Sequence, residues 1–452
     1  MKKLVITTLM MLLCTVQGFA LEKTVKLTVN GKTRSFLLHV PTNVTENAPL
    51  VLSMHGTGGH SSDKAPMGTD VADAEGFIVV YPQGSDIYFP VFGGTLPGWN
   101  STGENSEDID FFKAIIEEVA KDYSIDRKRI YSCGFSNGGM MTYSNSCTMA
   151  DIFAAFASIS GFQLNEFHLH HTGVRPVPFL HIHGKNDNFV DIARMPTIID
   201  NFVARIGAKP VPEVTKEAGK YTKYVYEATE GGFQYIYYTI EGMGHEAYTS
   251  KTPEGNSGKT MWNFMKQYTL DSPCDATLKW RPGLETEGYK PNSHGWTATT
   301  KAMLYGDDPN NSSKNIQNVY HSLQLVKGNY KLCFKSQGAE GTVTISIKKY
   351  TGNKAELLNQ TVPIGQDATM VFACDDDFAE CRFKLNATTD VTITDLALYS
   401  ATDEEMASVQ EVNAAQDQAT VYYTLAGVPV AQPQKGINIV RTGSDAKTVY
   451  VK

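Results

Sequence analysis

The 452 residues contain no C-x-x-C pair, so a zinc ribbon is not indicated. Basic residues are not in excess: 40 Lys and Arg stand against 48 Asp and Glu, for a net charge of −8. That balance argues against nucleic-acid binding, which wants a basic face. No apolar run is long enough to cross a bilayer as a helix. The nearest, Leu4 to Val16, follows Lys2 and Lys3 and precedes the small residues of Gly18-Phe19-Ala20, so residues 1–20 read as a secretory leader. Without the leader, Lys2 and Lys3 are lost and 38 basic residues face 48 acidic ones, near −10. A soluble, secreted or surface-bound protein is the expectation. Cys14 follows Leu13, where lipid attachment calls for a small residue, so a lipoprotein is not the reading. No long-period repeat is evident.

Cysteine is sparse. Six remain after Cys14: Cys133, Cys147, Cys274, Cys333, Cys374 and Cys381. An even number in an exported chain permits disulfides. Cys133 and Cys147 are poor partners, because a helix between them would hold them about 18 Å apart. Cys374 and Cys381 could close a hairpin.

Apolar patterning divides the remainder. Residues 23–41 read as a hairpin turning at Asn30-Gly31. Residues 49–56, 77–82, 153–160 and 178–183 are nearly continuous apolar runs, as in strands buried on both faces. Helical spacing marks residues 62–75, 107–123, 195–206 and 257–268, and residues 222–240 form a Tyr-rich hairpin. Strands alternating with helices predict a parallel α/β sheet over residues 21–270. From 274 to 400 short β-rich runs predict an antiparallel sandwich, and 401–452 reads as a linker followed by a short β module.

The chemistry starts at Gly134-Phe135-Ser136-Asn137-Gly138-Gly139, between a strand run ending at Cys133 and a helix start at Met140. A serine on so tight a strand-to-helix turn has its hydroxyl pushed out of the sheet, and the helix N-terminus suits an oxyanion beside it. In a chain with 38 Gly the bare pattern is weak. Three further matches in chain order strengthen it. His55-Gly56-Thr57-Gly58-Gly59 follows an early strand, so the N–H groups of Thr57 and Asn137 become oxyanion donors. His183-Gly184-Lys185-Asn186-Asp187 offers an acid, with Asp191 as the alternative. Gly242-Met243-Gly244-His245 offers the base before the last helix. Ser, then acid, then His is the order of an α/β-hydrolase.

These motifs, with Tyr81-Pro82-Gln83-Gly84, Gly98-Trp99-Asn100 and Val190, resemble the polyhydroxybutyrate-depolymerase-like esterases, which include the feruloyl and acetylxylan esterases of carbohydrate esterase family 1. The resemblance covers about residues 21–270. It implies Ser136 as nucleophile, His245 as base, Asp187 as its orienting acid, and Thr57 and Asn137 as oxyanion donors, with no cofactor. Met243 and Glu246 depart from the usual His motif. The expected partner is a plant cell-wall polysaccharide ester, feruloyl or acetyl. The alternatives are a polyhydroxyalkanoate depolymerase and a glycan-binding surface protein with an inert hydrolase domain.

Substrate contacts are expected from His55, Tyr88, Phe92 and Trp99, the last three in a long loop after Pro82 where flat aromatics would stack on a cinnamoyl ring or a sugar. Packing within the loop is the competing reading. Trp280, Tyr289, Trp296 and Tyr305 near the start of the sandwich are either sugar platforms or core. The segments around Tyr423 to Val430 and Lys435 to Val440 resemble C-terminal sorting modules of secreted enzymes. His181 and His183 on one strand face, with His168, His170 and His171 nearby, offer nitrogens to zinc but lack an evident third ligand and carboxylate, so no metal is expected.

Overall fold

A computed structural model describes residues 20–101, 107–162, 173–281, 286–289, 319–349, 354–389, 391–407, 420–424, 429–430, 436–442 and 445–451. The leader, His168, His170, His171, Trp296 and Tyr305 lie outside the described residues, and so does most of the 401–415 linker.

The first unit is a ten-stranded sheet. Its strands are β1 (Leu21–Val29), β2 (Lys32–Val40), β3 (Ala48–Met54), β4 (Ile78–Pro82), β7 (Ile125–Phe135), β8 (Ala155–Ile159), β9 (Phe179–Gly184), β10 (Glu213–Glu217), β11 (Tyr221–Tyr226) and β12 (Tyr235–Ile240). They lie in the order β1-β2-β4-β3-β7-β8-β9-β12-β11-β10. The six from β4 to β12 run parallel, and antiparallel strands flank them at both edges. Asn30 and Gly31 both have positive φ, 49° and 75°, as a two-residue hairpin turn requires.

Helices cover both faces. α2 (Glu107–Asp122), α3 (Asn137–Thr148) and α4 (Met195–Ile206) share one apolar cluster with Leu50, Leu52 and Met54. α1 (Thr69–Glu75) and α5 (Ser257–Met265) share the other with Val51, Ala157 and Ile182. Alternate residues of one strand thus feed opposite cores, which is why these strands read as unbroken apolar runs.

Several expectations need correction. The helix expected from residue 62 begins at Thr69, because Pro66 and Gly68 interrupt it. The loop after Pro82 is a hairpin of β5 (Ser85–Phe89) and β6 (Gly94–Gly98). β10 has four exposed residues out of five and carries no apolar signal, as suits an edge strand.

In α4, burial pushes the Asp200 carboxyl up from an ordinary 3.8 to about 6. A raised carboxyl opposes folding where it must ionise. The penalty is absent below the unfolded value, grows as pH rises through the folded one, and is fully felt above it. Asp200→Asn is therefore expected to raise the melting temperature at pH 8 and to leave it unchanged at pH 3.5, measured by thermal denaturation.

Beyond residue 274 two antiparallel sheets face each other around one core containing Val343, Ile345, Ile347, Phe334, Phe372 and Phe383. One holds β13 (Leu278–Trp280), β21 (Val391–Ser400), β16 (Gly328–Gly338) and β19 (Asp367–Cys374), with β14 (Thr286–Tyr289) on β21. The other holds β15 (Val319–Leu325), β20 (Ala379–Ala387), β17 (Thr342–Lys349) and β18 (Glu356–Pro363). Trp280 is 3% exposed and packs on Phe383, so it is core, not a sugar platform. No disulfide joins any of the six described cysteines to another. Cys374 ends a strand of one sheet and Cys381 lies in a strand of the other, so they do not close a hairpin. A four-stranded sheet of β23 (Pro429–Val430), β22 (Thr420–Thr424), β24 (Gly436–Thr442) and β25 (Asp445–Val451) ends the chain. No helix among the described residues is long and apolar enough to cross a membrane.

Candidate active site

Ser136 stands between β7 and α3 with φ 52° and ψ −119°. A non-glycine residue held there costs about 1–3 kcal/mol and persists only where its surroundings over-determine it. They do so here. The Ser136 N–H donates to the Ile159 carbonyl at 3.0 Å, and the Ser136 carbonyl accepts the first α3 bond from Met140 at 2.9 Å. A Cβ on Gly134 would collide with the Gly138 carbonyl, and one on Gly138 with the carbonyls of Met54 and His55. The glycines flanking the serine are thus demanded by backbone crowding where three strand ends meet.

Two loops converge on the serine from the far side. The acid loop leaves β9 and the histidine loop leaves β12, its parallel neighbour. Backbone bonds join them, from Lys185 to Ile240 and from Asn186 to Met243, each 2.9 Å. Gly184 is needed there because a Cβ would strike the carbonyls of Met243 and Gly244. The result is a line of hydrogen bonds. His245 Nε2 lies 2.9 Å from Ser136 Oγ, and His245 Nδ1 lies 2.8 Å from Asp187 Oδ2. Phe135 and Phe189 flank the imidazole, with ring centroids 4.9 and 5.2 Å away.

Asp187 is fully engaged. Its Oδ1 accepts from the N–H groups of Phe189 and Val190, each at 2.9 Å, and His183 Nε2 lies 3.3 Å from Oδ2. Burial alone would raise the carboxyl. Bonds from His183, His245, Val190 and Phe189 outweigh it and hold the group well below the usual 3.8. An ionised acceptor beside Nδ1 leaves Nε2 of a neutral His245 free to take the serine proton. Asp191, the alternative acid, instead caps a short turn, accepting from the Ala193 N–H at 2.9 Å.

The loop after β3 lies over the serine: a Cβ on Gly56 would stand 3.1 Å from Ser136 Cβ. Gly58 N–H donates to the Pro97 carbonyl at 2.7 Å. The N–H of Thr57 has no protein partner among the described residues, and neither does that of Asn137, the first of α3. An anion at the serine would meet both a helix N-terminus and a loop amide.

Two expected substrate contacts have other roles. His55 is 3% exposed; its Nε2 accepts from the Gly84 N–H at 3.0 Å and its Nδ1 donates to the Gly56 carbonyl at 2.7 Å. Burial lowers its pKa, and both ring nitrogens are used in fastening the loop. Trp99 is 1% exposed and donates through Nε1 to the His55 carbonyl at 2.8 Å. Its backbone is clamped by the Asn137 amide, which accepts at 2.6 Å and donates at 3.1 Å. Neither side chain is available for stacking on a ligand.

Phe92 and Tyr88 are exposed on or beside the β5–β6 hairpin. Phe92 stacks on Phe189 at 5.5 Å and 20°, and Phe189 in turn touches His245. Tyr88 is not part of this file of rings among the described residues. Phe189 was missed in the sequence, where only its place two residues after Asp187 marked it. His181 and His183 stack at 5.2 Å with every ring nitrogen in a hydrogen bond, and no group of His, Cys, Asp or Glu suited to a metal occurs among the described residues.

Residues 38–209 match the phospholipase/carboxylesterase family. The chain is 31% identical over 193 residues to a probable feruloyl esterase C of Aspergillus niger, covering 42% of this chain and 68% of that one. It is 29% identical over 258 residues to feruloyl esterase D of Neurospora crassa, covering 54% and 86%. It is 30% identical over 255 residues to a bifunctional acetylxylan esterase/xylanase of Neocallimastix patriciarum, where it covers 55% of this chain but spans only 35% of that relative. Among solved structures, an acetyl xylan esterase from Aspergillus awamori aligns with 54% of this chain and 99% of its own at a TM-score of 0.40 and 18% identity. An α/β-hydrolase sheet with a serine elbow defines the class. Within it, the chain belongs to the family of carboxylic-ester hydrolases that holds these feruloyl and acetylxylan esterases.

Proposed function

We propose that the protein is a serine esterase that hydrolyses hydroxycinnamoyl or acetyl esters on xylan-type plant polysaccharide, acting outside the cytoplasm. The observation that carries the reading is the hydrogen-bonded line Ser136–His245–Asp187 at a strand-to-helix elbow. Ser136 Oγ attacks the ester carbonyl carbon as His245 Nε2 takes its proton. The negative oxygen of the tetrahedral adduct is met by the N–H groups of Thr57 and Asn137, each worth about 10²–10³ in rate. The adduct collapses, the C–O bond breaks, and the alcohol leaves with the proton from His245. Water then repeats the sequence and frees the acid. The leader-like first twenty residues support export.

The exposed Phe92–Phe189 stack beside His245 favours an aromatic acyl group over acetyl. Aromatic pairs contribute about 0.5–1.5 kcal/mol beyond their buried area. Phe189→Ala is therefore expected to raise KM for methyl ferulate about five- to tenfold and to leave 4-nitrophenyl acetate within about twofold. Equal losses on both esters would assign the ring to His245 and not to the acyl group. Faster turnover of a polyhydroxyalkanoate film than of feruloylated arabinoxylan would favour the depolymerase reading, for which a 27% identical poly(3-hydroxyalkanoate) depolymerase C of Paucimonas lemoignei is the relevant relative.

A further inference from the structure

Behind Asp187 lies a file of buried polar side chains that the ester chemistry does not use. His181 and His183 project from one face of β9, Tyr143 from α3 and Tyr235 from β12, and all four are at most 2% exposed. Tyr235 Oη is 2.8 Å from Tyr143 Oη, which is 3.0 Å from His181 Nδ1. His181 Nε2 is 2.9 Å from His183 Nδ1. His183 Nε2 is 2.9 Å from the Val190 carbonyl and 3.3 Å from Asp187 Oδ2.

One end of this file fixes the hydrogen nearest Asp187. The Val190 carbonyl can only accept, so His183 Nε2 carries hydrogen. Where that is the ring's one hydrogen, His183 Nδ1 accepts from His181 Nε2. His181 Nδ1 is then also an acceptor and takes the Tyr143 hydroxyl proton, and Tyr143 accepts from Tyr235. Burial keeps His181 neutral, lowering its pKa well below 6.5. In that arrangement every donor in the series points toward Asp187. A file of hydrogen bonds with one direction polarises each member in turn, most strongly where water is excluded.

We propose that His183 is a positioning residue of the esterase site, set by the Tyr235–Tyr143–His181 file so that its Nε2–H holds Asp187 Oδ2 toward His245. This rests on the role proposed above for Ser136, His245 and Asp187. Oδ1 is already tied to the two backbone N–H groups, so the carboxylate can still tilt about that side. The imidazole of His183 removes the remaining freedom. It shares Oδ2 with His245, which fixes the carboxylate plane that the base sees. A histidine present only to fill the core would serve stability alone. This one faces the reacting acid and carries on Nε2 a hydrogen fixed by the Val190 carbonyl, with three groups, Tyr235, Tyr143 and His181, behind it.

The test compares His183→Leu, which removes the donor, with His183→Gln, whose amide nitrogen can stand near the position of Nε2. On methyl ferulate, His183→Leu should lower kcat about 10- to 100-fold, as befits a lost bond to a charged group, with KM within about twofold. His183→Gln should recover at least about tenfold of that loss. In proton NMR, the low-field signal of His245 Nδ1–H, identified by its loss in His245→Ala, should move upfield in the Leu variant and return in the Gln variant. Should His183→Leu fail to fold, Tyr143→Phe serves, with kcat lowered about threefold at unchanged KM. Wild-type kcat in the folded Leu or Phe variant, or Gln no better than Leu, overturns the inference. Turnover by Ser136→Ala would overturn the underlying reading instead, so the two failures are told apart.

Discussion

Ser136→Ala is expected to lose turnover of methyl ferulate by about 10⁶-fold while remaining folded, as found when a serine nucleophile acting with its histidine is removed. The size follows from what is lost. No other hydroxyl among the described residues shares the bond to His245 Nε2, and water placed there would lack the elbow's fixed approach to the carbonyl. What survives is the binding surface and the two amide N–H groups, which by themselves stabilise only the developing charge. Folding should be little affected. Alanine keeps the Cβ that packs against the Gly56 loop, and the backbone bonds from Ser136 to Ile159 and Met140 do not involve the side chain. Circular dichroism with steady-state kinetics on the same sample checks both halves.

Asp187→Asn is expected to cost about 10⁴-fold in kcat with KM little changed. The carboxylate accepts from two backbone N–H groups and two imidazoles. An amide has one accepting oxygen and a donating nitrogen, so half of those donors face another donor. If the amide oxygen stays with the backbone, its NH₂ meets the Nδ1–H of His245 and drives the imidazole into the tautomer that turns a proton toward Ser136. If the oxygen turns to His245, the N–H groups of Phe189 and Val190 lose their acceptor, and the buried one, that of Val190, costs about 1–3 kcal/mol in stability. Loss of activity and a lowered melting temperature should therefore vary together across Asn, Ala and Glu at this position. Kinetics at pH 6 to 9 with thermal denaturation would test it. Because Asp187 is held below the ordinary carboxylate range, it stays charged throughout that window, and any acid limb there belongs to another group.

Much of this was legible in the chain. Unbroken apolar runs marked the strands that end up buried on both faces, and crowded glycines marked the places where backbones touch. Ser136, Asp187 and His245 were separated in sequence by strands and helices whose order allows one meeting point, and the structure brings the three together. What was not legible depends on depth. His55 and Trp99 looked like pocket residues because loops after strands build pockets. Both are sealed instead, because their ring N–H groups find carbonyl partners beneath the loop. Phe189 is a lone aromatic in a polar stretch, and only the fold carries it to within reach of His245. β10 escaped notice because, as an edge strand, it is exposed at four of its five residues and has no apolar period to read. For His181 and His183 the spacing says that they share a face and does not say what faces them, so the file they join was not legible.

The central claim is that the Ser136 hydroxyl, the His245 imidazole and the amides of Thr57 and Asn137 converge on one reacting atom. A crystal structure of the protein inhibited by a fluorophosphonate tests it most directly. The account predicts phosphorus bonded to Ser136 Oγ, with its free oxygen within hydrogen-bond distance of both amide nitrogens and His245 Nε2 beside the remaining oxygen. Absence of an adduct on Ser136, or an adduct whose oxygen faces solvent away from Thr57 and Asn137, would contradict it.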